Sequence, residues 1–259
     1  MPDRAPWPLG ILAAAGVAFF VLPLVALVSR VPWQSALGAL AGAEALTALR
    51  LSLVVSIAAT ALALVWGVPL AWVYARVRFP GRDLVRALTT LPMVLPPVVG
   101  GVALLLAFGR RGLVGESLDA LGIRIPFTTA GAILAATFVA MPFLVLTVEA
   151  GLRSMDRRFE DAARTLGASR WKVFRDVTLP LIAPSLFAGA VLCWARALGE
   201  FGATITFAGN LPGVTQTLPL AVYLELESRP DVATVLSLVL LAVSLAVLVA
   251  LRDRYLRVA

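Results

Sequence analysis

Residues 161–180 read DAARTLGASRWKVFRDVTLP, a basic, amphipathic stretch set between two long apolar runs. Phe159, Ala162, Ala163 and Leu166 fall at i, i+3, i+4 and i+7, one apolar stripe on a short helix. Arg157, Arg158, Asp161 and Arg164 take the remaining positions. Gly167 follows where a helix would end in a left-handed residue. Ser169 is placed to cap a second helix carrying Trp171, Val173, Phe174 and Val177. Thr178, with Pro180 two positions on, fits the first turn of the next apolar run. The pattern therefore predicts a helix–glycine–helix elbow with a small alanine face. Pattern alone leaves two roles open: a docking element for a soluble partner, or a linker lying on lipid headgroups.

The surroundings of the elbow set the fold class. Of 259 residues, 60% are hydrophobic and 14% charged, against about 25% charged in a soluble domain. Charge-free windows cover 5–29, 51–75, 87–109, 125–148, 177–195, 201–224 and 232–251. A helix needs about 20 apolar residues to cross about 30 Å of hydrocarbon, and six windows satisfy this. The window 201–224 holds Gly209-Asn210-Leu211-Pro212-Gly213, a turn signal. Its start is assigned to the end of the preceding span and the rest to an aqueous loop. The chain is thus expected to be an all-α polytopic membrane protein with spans at about 8–29, 51–75, 86–109, 127–149, 179–207 and 231–251, and the elbow in a loop at 153–178. The first window is too long for an ordinary signal-peptide core and lacks a convincing cleavage site before Arg30, so it reads as an uncleaved span.

Charge sets the orientation. With a cytoplasmic N-terminus and six spans, the inside segments hold fifteen of the 22 basic residues and the outside loops six, while Arg196 lies within a span. That bias places the elbow and both termini in the cytoplasm. The net charge of +7 matches juxtamembrane arginines facing anionic lipid and gives no single face for nucleic acid.

Several chemistries are excluded. The chain has no histidine and one cysteine, Cys193, within an apolar run. Metal sites built on His/Cys clusters and Ser-His or Cys-His nucleophilic pairs cannot be assembled. The lone lysine is Lys172 and no phosphate-binding G-x-x-x-x-G-K-[ST] loop occurs. No catalytic or metal-ligating residue is expected, and any ATP-driven step needs another polypeptide.

The elbow resembles the EAA loop of the inner-membrane permeases of ABC importers. That family's Glu-Ala-Ala, three residues, Gly, nine residues, Ile, one residue, Leu-Pro is matched by Asp161-Ala162-Ala163, Gly167, Val177 and Leu179-Pro180. Asp161 replaces glutamate and Val177 replaces isoleucine, while Glu160 supplies a second acid one position earlier. The resemblance implies the fold of type I importer permeases, with the elbow as a coupling helix docked on a cytoplasmic ATPase dimer. Glu160, Asp161, Ala162, Ala163, Leu166, Gly167, Ala168, Leu179 and Pro180 would form that contact. Further segments, LPMVLPPVVG at 91–100, GEFGATITF at 199–207, NLPG at 210–213 and TLPLAVY at 217–223, are most similar to the oxyanion branch and within it to molybdate permeases, with tungstate and sulfate permeases near. The resemblance implies a homodimer, a bacterial or archaeal inner-membrane location, and an extracytoplasmic oxyanion-binding protein. It also implies that ATP and magnesium sit on the ATPase, with no cofactor in this chain. A division into 1–45 (first span and outer loop), 46–252 (permease core) and 253–259 (cytoplasmic tail) follows from it.

Within the spans, Pro92, Pro96 and Pro97 with Gly100 and Gly101 are expected to kink the third span. Freed carbonyls are tolerated where a cavity or neighbouring helices satisfy them, so this helix reads as lining the pathway, with a packed structural kink as the alternative. Arg196 and Glu200 stand four apart on one helical face. Either charge facing lipid would cost about 3 kcal/mol. The pair reads equally as an oxyanion contact tempered by its neighbour and as a structural ion pair. Thr204 and Thr206 are expected to continue that helix toward its outer end, and Glu149 to be solvated. A passive channel or ion-coupled carrier is the alternative from another class. An inverted repeat or several buried ionisable groups would mark it, and neither is visible.

Overall fold

A computed structural model describes residues 6–255. Arg4, Arg257 and the part of the expected tail beyond 255 lie outside the described residues. The described chain is helical, and no strand occurs among these residues. Helix α1 spans Trp7–Ser29, α2 Trp33–Ala41, α3 Ala43–Arg76 and α4 Arg82–Thr90. A 3-10 turn at Leu91–Met93 leads to α5 (Pro97–Phe108), α6 (Gly115–Ala120) and α7 (Thr129–Ser154). The elbow is α8 (Arg158–Thr165), α9 (Arg170–Val173), a π turn at Phe174–Thr178 and α10 (Leu179–Leu181). The chain ends with α11 (Ala183–Leu198), α12 (Gly202–Phe207), α13 (Leu218–Ser228) and α14 (Pro230–Tyr255).

Four helices, α1, α3, α7 and the 230–247 part of α14, are long and apolar enough to cross a membrane; two bent pairs bring the number to six. With 34 residues, α3 is about 51 Å long at 1.5 Å per residue. It outreaches the hydrocarbon core, so its Arg76 end emerges where the elbow sits.

The core is a three-helix contact of α3, α7 and α11. Ala59, Ala63, Ala71, Ala132, Ala136 and Ala140 are buried there among Val55, Leu144, Val145, Leu152 and Cys193. Small side chains suit this site because helices in lipid associate through close packing rather than water exclusion. Gly67 shows how close the approach is: a Cβ there would stand 3.0 Å from Leu144 Cδ2 and 3.2 Å from Val145 Cγ2. Helix α1 buries no residue in the protomer.

The bends in the spans go beyond the expected kink. In the third run, 86–109, Arg82–Met93 and Pro97–Phe108 diverge by 118°. Pro92, Pro96 and Pro97 each lack an N–H, and the residue before a proline is pushed out of the helical region. The chain accordingly turns through Pro96 in an extended conformation (ψ 129°). The twelve residues of α5 reach only about 18 Å. The fifth run bends by 73° between Arg170–Leu181 and Ala183–Leu198, where Pro184 in the first turn of α11 forbids continuation. It then breaks at Gly199–Phe201, so Thr204 and Thr206 sit on the separate helix α12.

The stretch after the Gly209–Gly213 turn is not all aqueous loop. Both glycines do take positive φ, 76° and 75°. Beyond them, Leu218, Leu220 and Ala221 of α13 are buried. The Leu218 N–H donates to Ser52 Oγ of α3 at 2.6 Å. Likewise the segment between α1 and α3 contains a helix, α2, with Ala36 buried beside Val31 and Val235 of α14.

Candidate functional site

The elbow is built by local signals. At the end of α8, Gly167 adopts φ +83°. Its N–H donates to Arg164 O at 2.9 Å, and the Ala168 N–H donates to Ala163 O at 3.1 Å. This double closure satisfies carbonyls that the helix end would leave orphaned. Ser169 Oγ then accepts the Lys172 N–H at 3.3 Å and starts α9.

Two acids adjacent in sequence have opposite fates. Asp161 is exposed and pairs with Arg164 at 3.3 Å on the surface. Glu160 points inward. Its Oε2 lies 3.2 Å from Arg76 Nε at the end of α3, and both side chains are more than nine-tenths buried. Its Oε1 accepts the Thr178 hydroxyl at 2.7 Å. Arg157 adds a donor to Ala75 O at 3.2 Å. Glu160 thus bolts the elbow to α3 and to the entry of α10 and α11. The sequence does not mark Arg76 and Thr178 as partners of Glu160, because residues 84 and 18 positions away leave no periodic signal.

The outward side is apolar and exposed. Phe159 is 57% exposed, Leu166 88% and Trp171 67%. Ala162 and Pro180 are exposed, while Ala163, Ala168 and Leu179 are half-buried. Trp171 stacks at a tilt on Phe174, ring centroids 5.7 Å apart, and Phe174 meets Trp72 of α3 edge-on at 6.4 Å. The elbow presents a hydrophobic crest on a charged, anchored base.

Close by, Glu149 is 1% exposed, not solvated as expected. It is held by Arg86 of α4 at 3.0 Å and by Arg153 of its own helix at 2.7 Å. The reason is α4, whose Arg86 reaches the Glu149 carboxylate of α7. Tyr74 and Thr89 hydroxyls share a 2.6 Å hydrogen bond that fixes the same helix to α3.

The second group of expected residues gathers at the far end of α11. Arg196 Nη1 and Glu200 Oε2 are 2.5 Å apart, the carboxylate side chain 1% exposed and the guanidinium 27%. Glu200 Oε1 also accepts the Ala203 N–H at 2.8 Å in the first turn of α12. Thr204 is buried, and Thr206 donates to Gly202 O at 2.8 Å. Pro97 starts α5 against α12. A Cβ on Gly202 would come 2.9 Å from Pro97 Cβ, and one on Gly101 would come 2.7 Å from Thr206 Cβ and 2.9 Å from Ala203 O. The two glycines set this contact. Pro96 is exposed and Pro92 buried. Arg229, between α13 and α14, binds Glu225 and Glu44. Those hydrogen bonds, with Glu225 the larger cause, raise its pKa above the usual arginine value.

Comparison with known proteins agrees with this architecture. The molybdenum transport system permease protein of Mycobacterium tuberculosis is 48% identical over 242 residues, covering 93% of this chain and 92% of its own. That of Escherichia coli K12 is 45% identical over 202 residues, 78% of this chain and 88% of its own. The sulfate transport system permease protein of the same organism is 37% identical over 232 residues, 88% and 84% respectively. Among solved structures, a bacterial alginate ABC transporter with an alginate-bound periplasmic protein superposes with a TM-score of 0.74 at 19% identity, over 97% of this chain and 95% of that one. The MetNI methionine ABC transporter gives 0.61 at 20% identity, over 82% and 94%. At that identity the likeness shows the fold, which is that of ABC transporter permeases. The model of the binding-protein-dependent transport system inner membrane component matches residues 63–258, and the chain belongs to that family of transport subunits.

Proposed function

We propose that this chain forms the membrane pathway of an ATP-driven ABC importer for molybdate. The observation that carries the coupling half of this reading is the elbow: an exposed crest of Phe159, Leu166 and Trp171 on a base anchored by Glu160 to Arg76 and Thr178. An apolar crest of this kind marks a protein interaction site. Its occupant is the ATPase, one per elbow in a homodimer with two-fold symmetry. The cargo follows from 48% identity to a permease named for molybdenum transport, against 37% to one named for sulfate.

In this reading the elbow and both termini are cytoplasmic, residues 46–252 form the permease core, and an extracytoplasmic protein delivers the oxyanion. ATPase closure pushes the crest. The Glu160 bolt passes that movement to α3 and, through Thr178, to α10 and α11, which carry Arg196 at their far end. There Glu200 positions Arg196, and the exposed part of the guanidinium meets the anion as it passes. Half-neutralisation by Glu200 keeps binding weak enough for release.

The test is uptake of labelled molybdate by cells whose own high-affinity importer is deleted. They would express this chain with its ATPase and binding protein, and tungstate and sulfate would be supplied as competitors. Uptake that needs the ATPase and is blocked by tungstate ahead of sulfate supports the reading. Uptake independent of the ATPase overturns it in favour of a channel or carrier.

A further inference from the structure

Between the end of α3 and the elbow lies a cleft of about 510 Å³, within the size range of small-ligand sites. Its charge is one-sided. Arg76, Arg78, Arg157, Arg164 and Arg170 line it, against only Glu160 and Asp161. Arg76 is neutralised by Glu160 and Arg164 by Asp161. Arg157 uses one nitrogen on Ala75 O. The side chains of Arg78 and Arg170 have no hydrogen bond or ion pair among the described residues. Three positive charges thus converge without compensation on one concave surface, an arrangement that concentrates anions. One wall is aromatic, Trp72 edge-on to Phe174. A tryptophan one turn before a terminal arginine on a long apolar helix sits at headgroup depth.

The geometry points to a binding site for a tetrahedral oxyanion in this cleft, held by the guanidinium groups of Arg78, Arg157 and Arg170 and separate from the pathway residues around Arg196. Planar guanidinium forks match phosphate oxygens two at a time. The phosphate of an anionic phospholipid and a free tetrahedral anion offer the same chemistry. The level of the aromatic wall suits the lipid, and the polar floor at Thr178 suits either. An occupant would tie α3 to α9 through charge, alongside the Glu160 bolt. The cleft lies on the elbow that the transport reading docks on the ATPase, but the test below uses this chain alone, so its outcome does not turn on that reading.

The test uses the full chain in nanodiscs and a variant carrying Arg78→Gln and Arg170→Gln. Both side chains are exposed and without a hydrogen bond or ion pair among the described residues, and a thermal melt checks that the fold is kept. In one arm, protein reconstituted in mixed phosphatidylcholine and phosphatidylglycerol is analysed by native mass spectrometry for retained phosphatidylglycerol. In the other, inorganic phosphate is titrated in phosphatidylcholine nanodiscs with tryptophan fluorescence as readout. A charge-assisted contact is worth about tenfold in affinity, so the doubly substituted protein should bind about a hundredfold more weakly. Retained phosphatidylglycerol lost in the variant assigns the site to lipid. A phosphate response lost in the variant assigns it to a soluble anion. No binding in either arm, or binding equal in both proteins, overturns the site.

Discussion

Glu160 and Arg76, 84 positions apart, form an ion pair of 3.2 Å with side chains 5% and 8% exposed. Removing one member of such a pair strands a buried charge, at about 3–5 kcal/mol. Glu160→Ala should therefore lower stability by about 3 kcal/mol, while Asp161→Ala, on the exposed side of the same helix, should stay within about 0.5 kcal/mol. Thermal unfolding of the purified proteins in one detergent decides this. Equal losses at the two positions would remove Glu160 from its structural role. Adding Arg76→Gln to Glu160→Gln should restore part of the loss, because no charge is then left alone.

At Gly167 the constraint is backbone, not space. Its φ is +83° and nothing lies within 4 Å of where a Cβ would be. A non-glycine residue in that conformation costs about 1–2 kcal/mol. Gly167→Ala should weaken ATPase retention in a pull-down by about tenfold, and Gly167→Asn less, since asparagine tolerates the left-handed region. Leu166→Ser should abolish retention with the melting temperature unchanged, because that side chain is 88% exposed. Full retention by Leu166→Ser would refute the crest as the contact.

The elbow was legible because each of its signals is local: a stripe with period 3.6, a glycine at the helix end, a serine cap two residues later. The bends were not. Pro92, Pro96 and Pro97 announce a break, but whether it amounts to a kink or 118° is set by packing between α5 and α12, elements about a hundred residues apart. Glu149 reads in the sequence as an ordinary solvated end residue because its partner Arg86 lies far earlier in the chain, on α4. The Glu160 bolt is half legible in the sequence: the acid stands beside the elbow motif, but the α3 arginine that holds it is only one of many basic residues.

The α5–α12 contact is itself open to test. A methyl group at Gly101 would meet Thr206 Cβ and Ala203 O at 2.7 and 2.9 Å. Overpacking of this kind costs about 1–3 kcal/mol. Gly101→Ala and Gly202→Ala should each lower stability by about that much and slow uptake. The two together should cost less than their sum, since one separation of the helices relieves both clashes. Wild-type stability in both single variants would mean that the helices do not touch here. Gly100→Ala is the control with more slack: the nearest atom, Phe138 Cε1, is at 3.3 Å at the end of a side chain.

Arg196 and Glu200 separate positioning from contact. Glu200 has no freedom to leave: it is 1% exposed, paired at 2.5 Å, and accepts the Ala203 N–H. Glu200→Gln keeps an acceptor for Ala203 but releases Arg196. It should tighten anion binding and lower the maximal uptake rate, a lowered KM together with a lowered rate. Arg196→Lys keeps the ion pair but loses the planar fork that engages an oxyanion. It should leave unfolding within about 1 kcal/mol of wild type while uptake efficiency falls about tenfold, one charge-assisted contact. If Arg196→Lys transports at the wild-type rate and KM while Arg196→Gln unfolds early, the guanidinium serves only to hold Glu200 and the start of α12. The anion must then be met by other groups along the route. A drop in uptake efficiency for Arg196→Lys without loss of stability places the arginine on the route itself.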